Sequence, residues 1–100
     1  MNKFKAKLAA DIVAYMNAGN WLNAELRLSK AVAKFPGDYG FLRLAGIVQA
    51  KLSKPAGALD FFQQALDVAP NSVDALQNIG TAELAVNNLE KAFEYFSKAV

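Results

Sequence analysis

Two pairs of carboxylates, Glu90 with Glu94 and Asp60 with Asp67, are the residues here whose type and spacing could do chemistry. Two carboxyl groups on one helix face can divide acid and base roles, provided their surroundings push their pKa values apart. Neither pair has such surroundings in the sequence. The 100 residues hold no histidine and no cysteine, which removes the commonest general base and metal ligand together with thiolate nucleophiles and disulfides. Gly19, Gly37 and Gly57 follow no phosphate-cradling pattern and are read as turn or close-packing glycines. No catalytic residue, metal ligand or cofactor is therefore expected, and the chain is not read as an enzyme. Trp21 has two readings, an anchor for a partner or a side chain packed between helices, and packing is the expectation.

The elements that position these residues must come from a single domain, because 100 residues allow one compact unit. A hydrophobic share of 54% against 20% charged residues is too apolar for a disordered chain. The net charge of +2 demands no nucleic acid, but it is unevenly spread. Residues 1–51 hold eight cations and three anions, and residues 52–100 hold three cations and six anions. One end of an elongated molecule would be basic and the other acidic, which could steer a partner or favour head-to-tail stacking. The basic residues Lys3, Lys5, Lys7, Arg27, Lys30 and Lys34 have no aromatic platform among them, so nucleic-acid binding is not expected. Phe4 and Leu8 beside the lysines offer a membrane-surface alternative. Asp11 interrupts the apolar stretch after the basic opening Met1-Asn2-Lys3-Phe4-Lys5, so no signal peptide is read and a cytoplasmic location is expected. No uncharged run is long enough for a membrane span.

Laid against itself at an offset of 34 residues, the sequence matches along almost its whole length. Leu8, Leu42 and Leu76 align, as do Ala24, Ala58 and Ala92, then Leu28, Phe62 and Phe96, then Ala31, Ala65 and Ala99. Pro36 meets Pro70, and Gly46 meets Gly80 with Ile12 at the matching place in the first copy. A period of this size marks stacked supersecondary units. Each copy divides into two helical stretches, with breaks at Asn17-Ala18-Gly19-Asn20, Ser53-Lys54-Pro55 and Asn87-Asn88. Pro55 suits a helix start, and Asp38 and Ser72 suit caps of the helices that follow them. Gly46 and Gly80 are expected to admit a bulky residue from a neighbouring helix, close packing offsetting the helix propensity they forfeit.

These ladders resemble the tetratricopeptide repeat family over about Lys5 to Val100, on Leu42 with Gly46, Ala58, Phe62, Ala65 and Pro70, and on Leu76 with Gly80, Ala92, Phe96 and Ala99. The family's first-helix tryptophan is leucine in each copy, and its tyrosine survives only as Tyr15. The resemblance implies an all-α, right-handed superhelical solenoid of three helix-turn-helix hairpins, with repeat 1 over about 5–38, repeat 2 over 39–72 and repeat 3 over 73–100, the last without a final capping helix. It also implies a non-catalytic scaffold whose first helices line a concave groove for a peptide segment or helix. The expected groove residues are Ala6, Ala9, Val13, Gly40, Arg43, Leu44, Ile47, Gln77, Asn78 and Thr81. Family members that clamp an acidic chaperone tail use lysines, an arginine and asparagines where this sequence has Ala9, Val13, Leu44, Asp74 and Asn78, so an apolar-anchored partner is expected instead. Two alternatives stand beside the groove reading. One is self-association into a homo-oligomer through Phe93, Phe96, Ala99 and Val100; the other is a role as the repeat arm of a larger enzyme.

Overall fold

The computed structural model describes residues 2–100, so Met1 of the basic opening lies outside the described residues. Six helices follow one another: α1 (Lys3–Asn17), α2 (Trp21–Lys34), α3 (Tyr39–Lys51), α4 (Pro55–Val68), α5 (Val73–Ala85) and α6 (Leu89–Ala99). No strand occurs among the described residues. The breaks fall where the sequence places them, and the first helix begins two residues ahead of the expected start of repeat 1.

The helix starts follow from residue chemistry. Asp38 accepts a hydrogen bond from the Phe41 N–H at 3.0 Å and Ser72 from the Ala75 N–H at 3.2 Å, so each satisfies one orphan donor of α3 or α5. Asn2 and Asn20 do the same for α1 and α2. Pro55 opens α4 at a position whose missing N–H costs nothing. The turns inside the hairpins share one device at one repeat position. Gly19, Ser53 and Asn87 all take positive φ, at 72°, 59° and 62°. Glycine reaches this region without steric cost and asparagine tolerates it, whereas serine reaches it under strain.

The aligned ladders form the core. Ala24, Leu28 and Ala31 of α2 are buried against Leu8 and Ile12 of α1 and Phe41, Ala45 and Val48 of α3. One repeat on, Ala58 and Phe62 of α4 are buried with Ile79 and Ala82 of α5. Each fully buried leucine or phenylalanine side chain contributes about 1.5–3 kcal/mol by leaving water. The alanines hold the helices close, and the glycines take the rings: Phe62 lies over Gly46 and Phe96 over Gly80. Trp21 packs half-buried against the first cluster with Lys51 Nζ 5.7 Å from its ring centre, so its packing role is realised. The result is an elongated stack of 40 × 27 × 20 Å.

Leu8 is 5% exposed and belongs to the core, which overturns its membrane-surface reading. Phe4 stays 42% exposed, with its ring 6.4 Å from that of Phe35 and Lys34 Nζ 4.7 Å from its ring centre. No helix among the described residues is long and apolar enough to cross a membrane.

Candidate functional site

α1, α3 and α5 carry the ten residues expected in the groove, and none of the ten is buried. Hairpin packing consumes the opposite faces of these helices, Leu8 and Ile12 on α1, Leu42 and Ala45 on α3, Leu76 and Ile79 on α5, and so turns the remaining stripe outward. Two cavities open along that stripe. The first, about 520 Å³, lies between α1 and α3 and is lined by Lys5, Ala6, Ala9, Gly40, Phe41 and Leu44, with Asn2 and Asp38 at its end. The second, about 530 Å³, lies where α3, α4 and α5 converge and is lined by Ile47, Ala50, Lys51, Ser53, Pro55, Ala58, Phe62, Asn78, Thr81, Ala82 and Ala85. Both are large enough for several apolar side chains, and most of their walls are alkyl or aromatic carbon.

Seven of the ten expected residues therefore line a cavity: Ala6, Ala9, Gly40 and Leu44 in the first and Ile47, Asn78 and Thr81 in the second. Val13, 44% exposed, Arg43 and Gln77 line neither. Sequence reasoning placed the groove on first helices alone, and it missed Pro55, Ala58 and Phe62 of α4, which close the second cavity from behind. The signal was available in Gly46, since a ring that lies over a glycine of α3 must stand beside the α3 stripe.

Polar groups are few and specific. Arg43 Nε and Asn78 Nδ2 are buried donors with no acceptor among the described residues. A buried donor left unmade costs about 1–3 kcal/mol, and both atoms are shielded from solvent as the side chains lie. Thr81 is committed differently, its hydroxyl donating to the Gln77 carbonyl at 2.9 Å. At the mouth of the first cavity Lys5 pairs with Asp38 and stands 5.3 Å and 5.9 Å from the ring centres of Phe35 and Phe41. Burial pushes the Asp38 carboxyl up, but the Lys5 ammonium and the Phe41 N–H outweigh it and hold the group below its ordinary value. Behind the groove, Lys54 and Gln49 both donate to Glu25, at 2.9 Å and 2.6 Å, and lower its pKa in that order of importance.

The carboxylate pairs are separated in use. Asp60 accepts from the Gln64 amide and Asp67 from the Gln63 amide, and Glu90 and Glu94 are exposed on α6. The residues expected in self-association divide. Phe93 is 74% exposed and Val100 is open to solvent, whereas Ala99 is half-buried and the Phe96 ring is held over Gly80 inside its own hairpin.

Comparison with known proteins places these observations. The tetratricopeptide repeat family matches over residues 12–73 and 50–100. Superkiller protein 3 of Saccharomyces cerevisiae is 27% identical over 92 residues, covering 86% of this chain, and the chain spans only 6% of that protein's length. The repeat domain of Sgt2 from Aspergillus fumigatus superposes with a TM-score of 0.91 at 18% identity, over 98% of this chain and 65% of that one. The first repeat domain of Spaghetti (RPAP3), bound to the HSP90 peptide SRMEEVD, superposes with a TM-score of 0.90 at 19% identity, over 95% and 75%. These likenesses are of fold.

Proposed function

The chain belongs to the tetratricopeptide repeat family, and we propose that it is a non-catalytic interaction scaffold that holds a segment of a partner protein, extended or helical, in the groove of α1, α3 and α5. One observation carries the reading: two apolar cavities of similar size open on the same stripe. Apolar side chains of the partner fill the cavities and fix the position. That a structural neighbour holds a heptapeptide agrees with a segment of this length as ligand.

An array of short peptides with paired apolar residues at varied spacing tests the reading. Binders are expected, and they are expected to be lost in Leu44→Glu, at the first cavity, and Ile47→Glu, at the second. Both residues are half-buried, so the exposed substitutions Ala6→Arg and Thr81→Arg serve as a second pair, with circular dichroism confirming the fold. Binding that survives all four substitutions in folded protein sinks the groove assignment.

A further inference from the structure

The 34-residue offset carries the walls of the second cavity onto counterparts between the first hairpin and α3, and there the space is filled. Trp21, Met16 and Leu44 pack half-buried in the first cluster beside the buried Val48, and Lys51 Nζ lies 5.7 Å from the Trp21 ring centre. One repeat on, the same positions hold Pro55, Ala50, Asn78, Ala82 and Ala85. Each is smaller than its counterpart, and the largest loss is the indole, at matching places in the two helices: Trp21 is the first residue of α2 and Pro55 the first of α4. Phe62 for Leu28 and Lys51 for Asn17 are the main changes in the other direction, yet about 530 Å³ stays open.

What is missing from the second cavity is planar and mostly carbon. An apolar cavity left where a large side chain is absent takes a planar apolar ligand in its stead. The Phe62 ring, 5% exposed, forms one of the walls, and rings gain from offset or edge-on contact with other rings beyond the area they bury. The one charged residue in the walls is Lys51, whose ammonium is already engaged by the Trp21 ring. The site therefore presents mostly carbon, and it opens on the same stripe as the first cavity rather than into the core.

We propose that the second cavity receives an aromatic side chain of the bound segment, tryptophan above all, in the place that Trp21 fills one repeat earlier. The inference rests on the groove reading for the rest of the segment and adds to it the chemical identity of one anchor.

N-acetyltryptophanamide and N-acetylleucinamide, titrated against the isotope-labelled chain and followed by amide NMR shifts, test the anchor apart from any peptide. The first is expected to shift the Ala50, Thr81 and Ala85 amides saturably, and the second to bind about fivefold more weakly or worse. Pro55→Trp sets the indole of the first repeat at the same helix position and is expected to abolish the shifts. Ala50→Met, at an exposed residue that is methionine one repeat earlier, narrows the cavity from α3 and is expected to weaken them, whereas Leu26→Glu, at an exposed residue of α2, leaves them unchanged; circular dichroism confirms each fold. No saturable shift, equal binding of the two compounds, shifts confined to Ala6 and Ala9 at the first cavity, or binding that survives both filling substitutions overturns the proposal. So does light scattering that finds a dimer broken by Pro55→Trp, which would give the cavity to a second copy. The peptide array reads the groove separately. Peptides that bind, are lost in Thr81→Arg and show no preference for an aromatic residue overturn this assignment and leave the groove; tryptophanamide seated beside Ala50 and Ala85 with no peptide bound keeps the pocket and sinks the groove.

Discussion

Gly46→Ala and Gly80→Ala add the same methyl group at the same repeat position, and the structure separates their outcomes. A Cβ on Gly46 would fall inside contact of Phe62 Cε1 and 2.5 Å from Cδ1, against a ring that is 5% exposed and walled by α3, α4 and α5. A Cβ on Gly80 would lie 2.9 Å from Phe96 Cε1, but Phe96 is only half-buried and its ring can swing toward the open side of α6. Alanine gains about 1 kcal/mol of helix propensity over glycine at both sites. Overpacking costs about 1–3 kcal/mol in a rigid core, and the shorter distance puts Gly46 at the upper end. Net destabilisation of about 1–2 kcal/mol is expected for Gly46→Ala, with a change within about 0.5 kcal/mol for Gly80→Ala. In a domain of this size that lowers the first variant's Tm by about 5–15 °C. Urea unfolding followed by circular dichroism measures both, with an unchanged m-value confirming that the native state carries the effect. Adding Phe62→Leu should return part of the Gly46→Ala loss, a coupling of about 0.5 kcal/mol or more. A Gly46→Ala protein as stable as the parent, or a Gly80→Ala protein that loses more, would refute the account of how the hairpins close.

Stability is expected to fall in acid as Asp38 and Glu25 protonate. Both carboxyls sit below their ordinary values of 3.8 and 4.5 when folded, so their contribution is full above those values and is lost as pH drops through the lower folded ones. Asp38→Asn should flatten that acid limb in a pH series of urea midpoints. Ser53→Gly should stabilise by about 0.5–1 kcal/mol, because residue 53 holds φ at 59° where glycine is unstrained; a loss in the thermal melt would contradict the strain. Ser72→Ala should cost about 1 kcal/mol as a lost cap, and combining it with Tyr39→Phe should be less than additive, since Tyr39 Oη and Ser72 Oγ share a hydrogen bond of 3.0 Å. The acidic peptide SRMEEVD is expected to give no saturable calorimetric signal up to about 1 mM, because Ala9, Val13, Leu44 and Asp74 offer its carboxylates no cation.

The hairpins were legible because the same volumes recur at the same offset. A ladder such as Ala24, Ala58 and Ala92 shows close approach three times over, and Gly46 with Phe62 gives both halves of one contact. Caps were legible where the side chain itself makes the bond, as at Asp38 and Ser72. What escaped depends on how one hairpin leans on the next. The stack of Phe4, Phe35 and Phe41 with Lys5 joins residues of two helices, α1 and α3, and the turn after α2, so no local spacing announces it. The α4 wall of the second cavity escaped because Pro55, Ala58 and Phe62 read as core and turn residues of α4, although the pairing of Gly46 with Phe62 puts that ring beside α3. Ser53 escaped for the opposite reason: its backbone conformation is the one glycine announces at residue 19, but its side chain is ordinary.

Divergence within the repeat is as informative as agreement. Positions that close each hairpin, such as Leu8, Leu42 and Leu76 or Ala24, Ala58 and Ala92, keep their type through three copies. The expected groove positions change type from copy to copy: Ala9, Arg43 and Gln77 share one register, and Val13, Ile47 and Thr81 another. Each series runs from alkyl on α1 to amide or hydroxyl on α5. Along these registers a segment laid in the proposed groove would meet alkyl side chains on α1 and amide or hydroxyl groups on α5, with Lys5, Asn2 and Asp38 beside the α1 cavity. Uniform repeats would hold a ligand equally well in either direction. In the proposed scaffold this gradient would favour one direction of the bound chain, so that the order of a partner's residues would be selected as well as their composition.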